Sequence, residues 1–332
     1  MAKKWTQEQL DFLKENYNKM SKEKLCSSLN KTWSAILHQT QKMHIFSTIT
    51  GAWSLEEIQF LKDNYKTMTY KQLAEKLGRT KTAIDLKINK LGLIKSKYIY
   101  DHAFFKNITT EEQAYWCGFI MADGCVSINE ETNSCELCIK LQAKDAEHLQ
   151  KFNLALHGNI PVKVFEECSV LPGVTTPVIS QQCQIRLYSE EMVHDLDKYG
   201  VVPNKSLIKK FPHNIPTDLM RHYIRGYFDG NGSLTFTQKS RRCTFYTGSY
   251  DFAIALHDYI NQNVCKTSSV YKNPETNCYI FYCSSYSSMY LLLNFLYKES
   301  NIKLNRKSCL AQQFLQSEDL NTYLLRHPEI DG

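Results

Sequence analysis

The sequence predicts an α+β protein, with two copies of an αββαββα module preceded by two all-α units of three helices each. Three observations predict it. Two short apolar helices, 114–124 and 223–232, carry small residues four apart and end in an acid or amide followed by glycine. After each helix, alternating strand patterns enclose helical segments. Ahead of both modules lies a gapless repeat, in which Trp5 matches Trp53 and Ile36 matches Ile84.

These patterns divide the chain into six segments. A chain of 332 residues is long enough to form two or three hydrophobic cores. We expect the boundaries to be 1–48 and 49–94 for the two helical repeats, 95–108 for a linker, 109–210 and 211–315 for the two modules, and 316–332 for a C-terminal tail. From Ala311 to Gly332 we expect a helix, a short acidic stretch and a disordered end, and this region receives no functional role.

The two apolar helices predict a paired core. A helix that is apolar on all sides is normally buried, and small residues at i and i+4 let two backbones approach closely. Asp123 stands at a C-terminus, where the helix macrodipole disfavours a carboxylate, and Gly124 is expected to supply a left-handed stop. Side-by-side packing would bring positions 123 and 231 together, which predicts a divalent-metal site for phosphodiester chemistry.

The residues of these helices also carry a family resemblance. WCGFIMADG (116–124) and IRGYFDGNG (224–232) resemble the paired LAGLIDADG motifs of homing endonucleases, over roughly residues 109 to 314. The resemblance implies two antiparallel sheets that form a saddle on double-stranded DNA, related by a pseudo-twofold axis within one monomeric chain. The alternative is a pair of buried helices with a glycine stop and no chemistry.

The resemblance implies that the eighth position of each motif binds Mg²⁺ or Mn²⁺. Those positions are Asp123 and Asn231, and the metal-binding set also includes Ala122 and Gly230. Asn231 departs from the family because an amide oxygen carries no charge. We therefore expect strand-biased cleavage, nicking or inactivity. Asp229, two residues earlier, is expected to pack near the helix interface.

Three further residues enter the catalytic set only through the resemblance. Lys205 and Lys307 occupy the basic position near the end of each module and are expected beside the reacting phosphate and water. The alternative for both is a phosphate contact or a solvated lysine. Gln142 matches a polar residue at a strand end that holds the water network, with a loose counterpart near Thr247.

The N-terminal repeats predict an appendage that binds DNA. Residues 1–97 contain 18 Lys and Arg against 9 Asp and Glu, whereas the remainder is slightly acidic. Each copy resembles a SANT/Myb-like helix-turn-helix, a motif that places its last helix in the major groove. The expected DNA contacts are Arg79, Lys81, Thr82 and Lys87 in copy two and Lys31, Ser34 and His38 in copy one. The rival is protein binding, against which the positive charge argues.

Further DNA contacts are expected on strand positions that face away from the helices: Lys140, Lys163, Arg186, Lys239, Arg241 and Arg242. Arg225, inside the second motif, is expected to pair with Asp229 at i+4. The 12 cysteines are scattered, which favours reduced thiols. The lone CxxC at Cys135 and Cys138 has no second pair, which favours a buried strand over a zinc site.

The sequence thus predicts a site-specific, Mg²⁺-dependent DNA endonuclease. Because it shows no signal or membrane segment, we expect the protein in the cytoplasm of the host cell. Two alternatives stay open. One is a non-cleaving DNA-binding protein derived from such a nuclease, and the other is an intron maturase whose saddle binds RNA. An embedded intein is disfavoured because no splicing block is visible.

Overall fold

A computed structural model describes residues 5–17, 20, 22–43, 45, 53–91, 93, 98–129, 131, 134–169 and 177–330. The chain divides into two compact units, Met1–Lys97 and Tyr98–Gly332. Within the part that the structure describes, no helix combines the length and the apolar character that crossing a membrane requires.

The first unit contains three helices for each sequence repeat. They are α1 (Gln7–Asn16), α2 (Lys22–Leu29), α3 (Trp33–Lys42), α4 (Leu55–Asn64), α5 (Tyr70–Leu77) and α6 (Lys81–Lys90). Thr6 and Ser54 form capping boxes at the starts of α1 and α4. Gly78 ends α5 in the left-handed conformation, with φ of 60°.

Each repeat buries its own small core. Leu13, Leu25 and Ile36 form one cluster, and residues 48 positions later form the other, among them Leu61 and Ile84. Trp5 and Trp53, which open the repeats, are partly buried and pack against these clusters. Equal spacing in the sequence therefore produces two equivalent hydrophobic cores.

The second unit repeats one αββαββα order. The first copy is α7 (Glu111–Asp123), β1 (Gly124–Asn129), β2 (Ser134–Gln142), α8 (Ala146–Ala155), β3 (Lys163–Ser169), β4 (Val178–Tyr188) and α9 (Glu190–Asp197). The second is α10 (Met220–Asn231), β5 (Gly232–Phe236), β6 (Arg241–Thr247), α11 (Tyr250–Asn263), β7 (Tyr271–Lys272), β8 (Tyr279–Cys283) and α12 (Tyr286–Tyr297). Helices α13 (Asn305–Leu315) and α14 (Glu318–Arg326) follow.

The strands form two four-stranded antiparallel sheets. Sheet one has the order β1-β2-β4-β3 and sheet two the order β5-β6-β8-β7. In both, side chains alternate between an inner face that packs on the helices and an outer face. Leu137 and Ile139 of β2 are buried, whereas Lys140 and Gln142 are exposed. The predicted fold class, an α+β protein with two antiparallel sheets, is confirmed.

Helices α7 and α10 pack against each other at their glycines. A Cβ atom on Gly118 would lie 2.8 Å from the carbonyl carbon of Tyr223. A Cβ atom on Gly226 would lie 2.8 Å from the backbone nitrogen of Phe119. Each glycine therefore sits against the backbone of the other helix, and the contact is reciprocal. Larger residues at either position would force the two helices apart.

The glycines that end these helices have a different role from the predicted one. Gly124 has φ of −73° and ψ of 148°, and Gly232 has φ of −90° and ψ of 164°, so neither is left-handed. At both glycines the backbone passes directly from the helix into an extended strand. A Cβ atom on Gly124 would lie 2.6 Å from Cγ2 of Ile120. The glycine is required because the abrupt turn leaves no space for a side chain.

The structure differs from the expected linker and tail. The segment from Tyr98 belongs to the second unit, and Tyr100, Phe105 and Ile108 are buried in its core. After α13, helix α14 buries Leu320 completely and stacks Tyr323 on Tyr286 at 5.2 Å. Hydrophobic residues in both segments therefore pack into the second unit, where the sequence predicted only a linker and a tail without a role.

Candidate functional site

The ends of α7 and α10 meet. Oδ2 of Asp123 lies 3.3 Å from the position that a Cβ atom of Gly230 would take, and Ala122 packs against the same glycine. Asp123 and Asn231 are both half-buried. The two motif ends are thus brought together as the sequence predicts, because the glycine contacts lower down align the two helices.

Asp123 lies among cations. Burial raises the pKa of its carboxyl group, and the positive charges of Lys307, Lys209, Lys205 and Arg306 oppose that rise. The carboxylate also stands at the negative end of α7. The net result is a pKa above the usual range for aspartate, so this site would gain from a further cation close to the carboxylate.

The oxygen atoms at this place fit a hard divalent cation. Asp123 offers a carboxylate and Asn231 an amide oxygen, which are ligand types that Mg²⁺ accepts. In the described ranges, no group of three or more His, Cys, Asp or Glu residues is arranged to hold a metal. Two ligands do not make a complete cage, and Mg²⁺ usually completes its coordination with water and substrate phosphate.

The amide of Asn231 has a protein partner. Its side chain is within hydrogen-bonding reach of the hydroxyl of Tyr227, which itself donates to the carbonyl of Tyr246 at 2.9 Å. Burial raises the pKa of Tyr227 to about 12, so the hydroxyl keeps its proton at neutral pH. The matching position in the first motif is Phe119, which has no such group. The two halves of the site therefore differ at this position as well as at Asp123 and Asn231.

Lys205 and Lys307 lie at equivalent places, one beneath each helix end. The ammonium of Lys205 donates to the carbonyl of Gly124. The ammonium of Lys307 donates to the carbonyls of Phe228 at 2.6 Å, Asp229 at 2.8 Å and Gly232 at 2.5 Å. Both lysines are buried, and burial lowers the pKa of Lys307 to about 8. They donate hydrogen bonds to carbonyl groups that a helix end leaves without partners, and their positive charge offsets the negative end of the helix dipole.

Lys209 is a third buried lysine at the site, and no motif in the sequence predicts it there. Its side chain is 4% exposed, and its Nζ lies 5.4 Å from the ring centroid of Tyr227. Burial, reinforced by the charge of Lys205, lowers its pKa to about 8. When Lys205 is aligned with Lys307, position 209 corresponds to Ala311. Nothing in the pattern LIKKF distinguishes this lysine from a solvated one.

Gln142 is exposed at the end of β2, and the sheet register identifies its counterpart. Gly124 pairs with Ile139 in sheet one, and Gly232 pairs with Phe245 in sheet two. Gln142 stands three residues after Ile139, so the equivalent residue is Gly248, one position beyond the expected Thr247. Glycine has no side chain, so the second half lacks this polar group.

Asp229 joins the two modules. Its Oδ2 accepts hydrogen bonds from the Tyr115 hydroxyl at 2.8 Å and the Leu304 backbone N–H at 2.8 Å. Its Oδ1 accepts one from the Tyr297 hydroxyl at 2.6 Å. His148 Nε2 lies 2.9 Å from the oxygen of Tyr115 and extends the network. The expectation that Asp229 packs at the helix interface agrees with this position.

Arg225 does not form the expected ion pair with Asp229. Its guanidinium is fully buried and donates to Glu111 at 2.6 Å and to the backbone carbonyl of Ile302 at 2.9 Å. Glu111 belongs to the first turn of α7, where a carboxylate is favoured by the helix dipole. Tertiary packing thus supplied a better partner than the local i+4 position.

Three of the predicted basic residues share the outer face of sheet one. Lys140 pairs across the strands with Gln184, which pairs with Lys163, and Arg186 lies on the same face. Acids accompany two of them, because Lys140 bonds Glu167 at 2.7 Å and Arg186 bonds Glu136 at 2.6 Å. These cations are exposed on the face that the sequence predicts.

Sheet two separates two adjacent arginines. Arg242 is exposed and stacks on Tyr282, with its guanidinium carbon 4.3 Å from the ring centroid. Arg241 stacks on Tyr286 of α12 at 3.8 Å and therefore points to the helix layer. The expectation that both face away from the helices is corrected for Arg241, because neighbouring strand residues alternate between faces. Lys239 is exposed in the turn between β5 and β6.

In the N-terminal unit, one predicted DNA contact is internal. Arg79 donates to Glu57 at 2.9 Å through two nitrogens and stacks on Trp53 at 4.8 Å, with 7% of its side chain exposed. This position corrects the expectation that Arg79 faces DNA. Of the other predicted contacts, Lys31 and Lys87 lie over tryptophan rings and are half-buried, and the rest are exposed: Ser34, His38, Lys81 and Thr82.

The CxxC residues lie on opposite faces of β2. Cys135 is buried on the inner face, whereas Cys138 pairs with Cys125 on the outer face. Residues three apart in a strand point in opposite directions, so Cys135 and Cys138 cannot share a zinc ion. All 12 cysteines are free thiols, as the sequence predicts.

No protein family and no curated protein matches the chain. Solved structures with a similar fold include the homing endonuclease I-WcaI bound to its DNA recognition sequence, at 15% identity over 60% of this chain and 90% of that chain, with a TM-score of 0.43. A second is the LAGLIDADG meganuclease I-AabMI bound to uncleaved DNA, at 14% identity over 65% and 92%, with a TM-score of 0.41. A third is I-DmoI in complex with DNA and Mn, at 12% identity over 63% and 98%, with a TM-score of 0.33.

Proposed function

We propose that this chain is a site-specific DNA endonuclease of the LAGLIDADG homing type that hydrolyses a phosphodiester bond with Mg²⁺ or Mn²⁺. One observation carries the proposal. The ends of two glycine-paired helices meet, with the carboxylate of Asp123 against Gly230 and three buried lysines nearby. A carboxylate of raised pKa, concentrated positive charge and exposed cations on adjoining sheets suit a polyanionic substrate.

Asp123 and Asn231 would hold the metal ion, with Ala122 and Gly230 forming the floor beneath it. When bound, a divalent ion activates water and stabilises charge on the phosphate and the leaving oxygen. Lys205 and Lys307 fix the two helix ends and contribute positive charge below the phosphate. Gln142 would orient water on one side only, because its sheet-two equivalent is a glycine.

The two halves of the site are chemically unequal, and this supports strand-biased cleavage. The first half has a carboxylate at 123 and an amide side chain at 142. The second half has an amide at 231, no side chain at 248, and Tyr227 in place of phenylalanine. The Asp123 half should therefore release its leaving oxygen faster, and nicked DNA should accumulate.

We further propose that both units contact one long target as a monomer. The outer faces of the two sheets provide Lys140, Lys163, Arg186 and Arg242, and the turn after β5 provides Lys239. In the N-terminal unit, Lys81, Thr82 and Lys87 of α6 and Lys31, Ser34 and His38 of the first repeat act as a helix-turn-helix extension of the site.

Asn231 also favours a second candidate, a DNA-binding protein that does not cleave. An uncharged ligand lowers the affinity for Mg²⁺, because it offers no negative charge to the cation. In this case the same target would be bound with or without metal, and regulation of a nearby gene would replace cleavage.

The test is selection of bound and cleaved duplexes from a random library with Mg²⁺, followed by strand-resolved cleavage of the selected site. Asp123→Asn should reduce cleavage at least about a hundredfold with little change in Kd, since the metal ligand acts in the reaction. Asp258→Asn, at an exposed carboxylate of α11, is the matched control and should leave both values unchanged. Tight binding without any cleavage by the wild-type chain would favour the second candidate.

The appendage is tested separately in the full chain. Lys81→Ala should weaken binding and lower the salt dependence of log K by about one counterion, because it removes a phosphate contact. Unchanged affinity for the full-length site would contradict a DNA-binding role for α6.

A further inference from the structure

The two sheets present different chemistry at equivalent positions. In sheet one, Lys140, Gln184 and Lys163 are cross-strand neighbours on the outer face. We call them the sheet-one row. The residue after Phe245 is equivalent to the residue after Ile139, because Gly232 and Gly124 pair with these two positions. The equivalent three residues are Tyr246, Ile280 and Tyr271, which we call the sheet-two row.

The sheet-two row is apolar where the sheet-one row is polar. Tyr246 is 37% exposed and Tyr271 is 45% exposed, while Ile280 between them is 5% exposed. Two tyrosine rings therefore border a covered isoleucine on the outer face. An amide and two ammonium groups occupy the same three positions in sheet one, so the pseudo-twofold relation of the folds does not extend to these surfaces.

A cation borders the sheet-two row. The guanidinium of Arg242 stacks on Tyr282, which lies on the same outer face two residues after Ile280. An apolar strip bordered by a cation fits a polyanion whose central surface carries apolar groups. Duplex DNA has that character where thymines supply C5-methyl groups to the major groove.

We infer that the sheet-two row recognises a thymine-rich half of the duplex target through base methyl groups, whereas the sheet-one row recognises its half through hydrogen bonds. The inference rests on the proposed function, because it requires that the outer faces bind DNA. A·T and G·C pairs both present two acceptors and a donor in the major groove, so these polar groups do not favour either pair on the row. The A·T pair adds the C5-methyl group of thymine, whose burial against the row is favourable, whereas cytosine has only a hydrogen at that position.

The first experiment determines which half of the target lies on the sheet-two row. Duplexes selected from the random library would carry 5-iododeoxyuridine at single thymine positions, and irradiation would crosslink the base to an adjacent aromatic ring. Mass spectrometry should find crosslinks to Tyr246 or Tyr271 from one half of the target. Crosslinks confined to other aromatic residues would overturn the inference.

The second experiment removes the methyl groups. Replacing thymine by deoxyuridine in the crosslinked half should raise Kd about threefold to fourfold for each methyl removed, the effect of one buried methylene. The same replacement in the other half is the matched control and should change Kd less than twofold. Equal sensitivity of the two halves, or none in either, would overturn the inference.

A pair of variants tests the row itself. Tyr271→Lys supplies the cation that sheet one has at the equivalent position, and should abolish the deoxyuridine effect while retaining duplex binding. Tyr250→Lys, at an exposed ring of α11, should leave the effect intact. Single-stranded DNA bound more tightly than duplex, and weakened by Tyr271→Ala, would instead assign the row to base stacking. If no duplex is bound by the wild-type chain, the proposed function fails together with this inference.

Discussion

The carboxylate of Asp123 lies against the last turn of the opposing helix, with its Oδ2 atom 3.3 Å from the point where a Cβ atom of Gly230 would stand. Ala122 is closer still to that point. The geometry of the candidate metal site thus depends on the absence of one side chain on the other module. The helix contact and the candidate metal site are therefore a single structural feature.

The first prediction concerns this contact. Gly230→Ala should lower the free energy of unfolding by about 1–3 kcal/mol, because the added methyl group overlaps Ala122. Ala122→Gly should cost about 1 kcal/mol alone through helix propensity. In the double variant, the loss of unfolding free energy should be smaller than the sum of the two single losses, because removing the methyl group of Ala122 makes room for the one added at position 230. Chemical denaturation of the four proteins measures the coupling, and additive losses would show that the two residues do not meet.

The second prediction concerns strand bias. Asn231→Asp places a carboxylate opposite Asp123 and should raise the rate on the slower strand about tenfold at saturating Mg²⁺, equivalent to roughly 1.4 kcal/mol in the barrier. Nicked intermediates should then become scarce. Strand-specific end labels follow the two rates, and Asn261→Asp on α11 serves as a charge-matched control. A rate ratio unchanged by Asn231→Asp would mean that position 231 does not determine the bias.

The third prediction concerns pH. Burial, reinforced by the charges of Lys151 and Arg306, lowers the pKa of His148 to about 3. The unfolded chain binds this proton near pH 6.5, so between pH 6.5 and 3 the unfolded state holds more protons. Stability should therefore fall as the pH drops through this window, by up to about 1.4 kcal/mol per pH unit from this group.

His148→Phe isolates that contribution. The variant loses the hydrogen bond to Tyr115, which changes its stability at neutral pH, but the readout is the slope. Urea denaturation from pH 4 to 7 should give a shallower dependence than in the wild type. His213→Gln, at an exposed position, should retain the wild-type slope. Parallel curves for wild type and His148→Phe would show that this imidazole does not titrate as its burial implies.

The fourth prediction separates two neighbouring arginines. Arg242→Ala should weaken binding to the selected duplex and reduce the salt slope by about one, whereas stability should change little. Arg241→Ala should leave the slope unchanged and lower stability by about 1–2 kcal/mol, because it loses its stacking on Tyr286. Equal effects of the two variants on the salt slope would contradict their placement on opposite faces of β6.

Local patterns were sufficient for the elements and their order. The capping boxes of Thr6, Ser54 and Thr110, the alternation in β2 and the four-residue spacing of small residues within α7 and within α10 are all set by residues within a few positions. Backbone hydrogen bonding and side-chain periodicity act over that range, so helices, strands and their repetition could be predicted. The approach of Asp123 to the other motif followed, because small residues at fixed spacing allow one close packing.

The partners of charged residues could not be predicted in the same way. Arg79 pairs with Glu57, Arg225 pairs with Glu111, and Lys307 donates to three carbonyl groups at the end of α10. Each pairing joins residues that are far apart in the chain. It depends on which polar groups are buried together in the folded molecule, because a buried polar group needs a hydrogen-bond partner. Lys209 could not be predicted from the sequence, because only its burial in the folded protein distinguishes it from neighbouring lysines.

Local periodicity and residue identity account for the two helical repeats, the two αββαββα modules and the unequal pair Asp123 and Asn231. Folding in three dimensions adds Lys209 to the candidate site, makes Gly248 the sheet-two equivalent of Gln142, and puts Arg241 and Arg242 on different faces of β6. Those relations depend on strand register and helix contact, where the free energy is shared among residues that are distant in the chain.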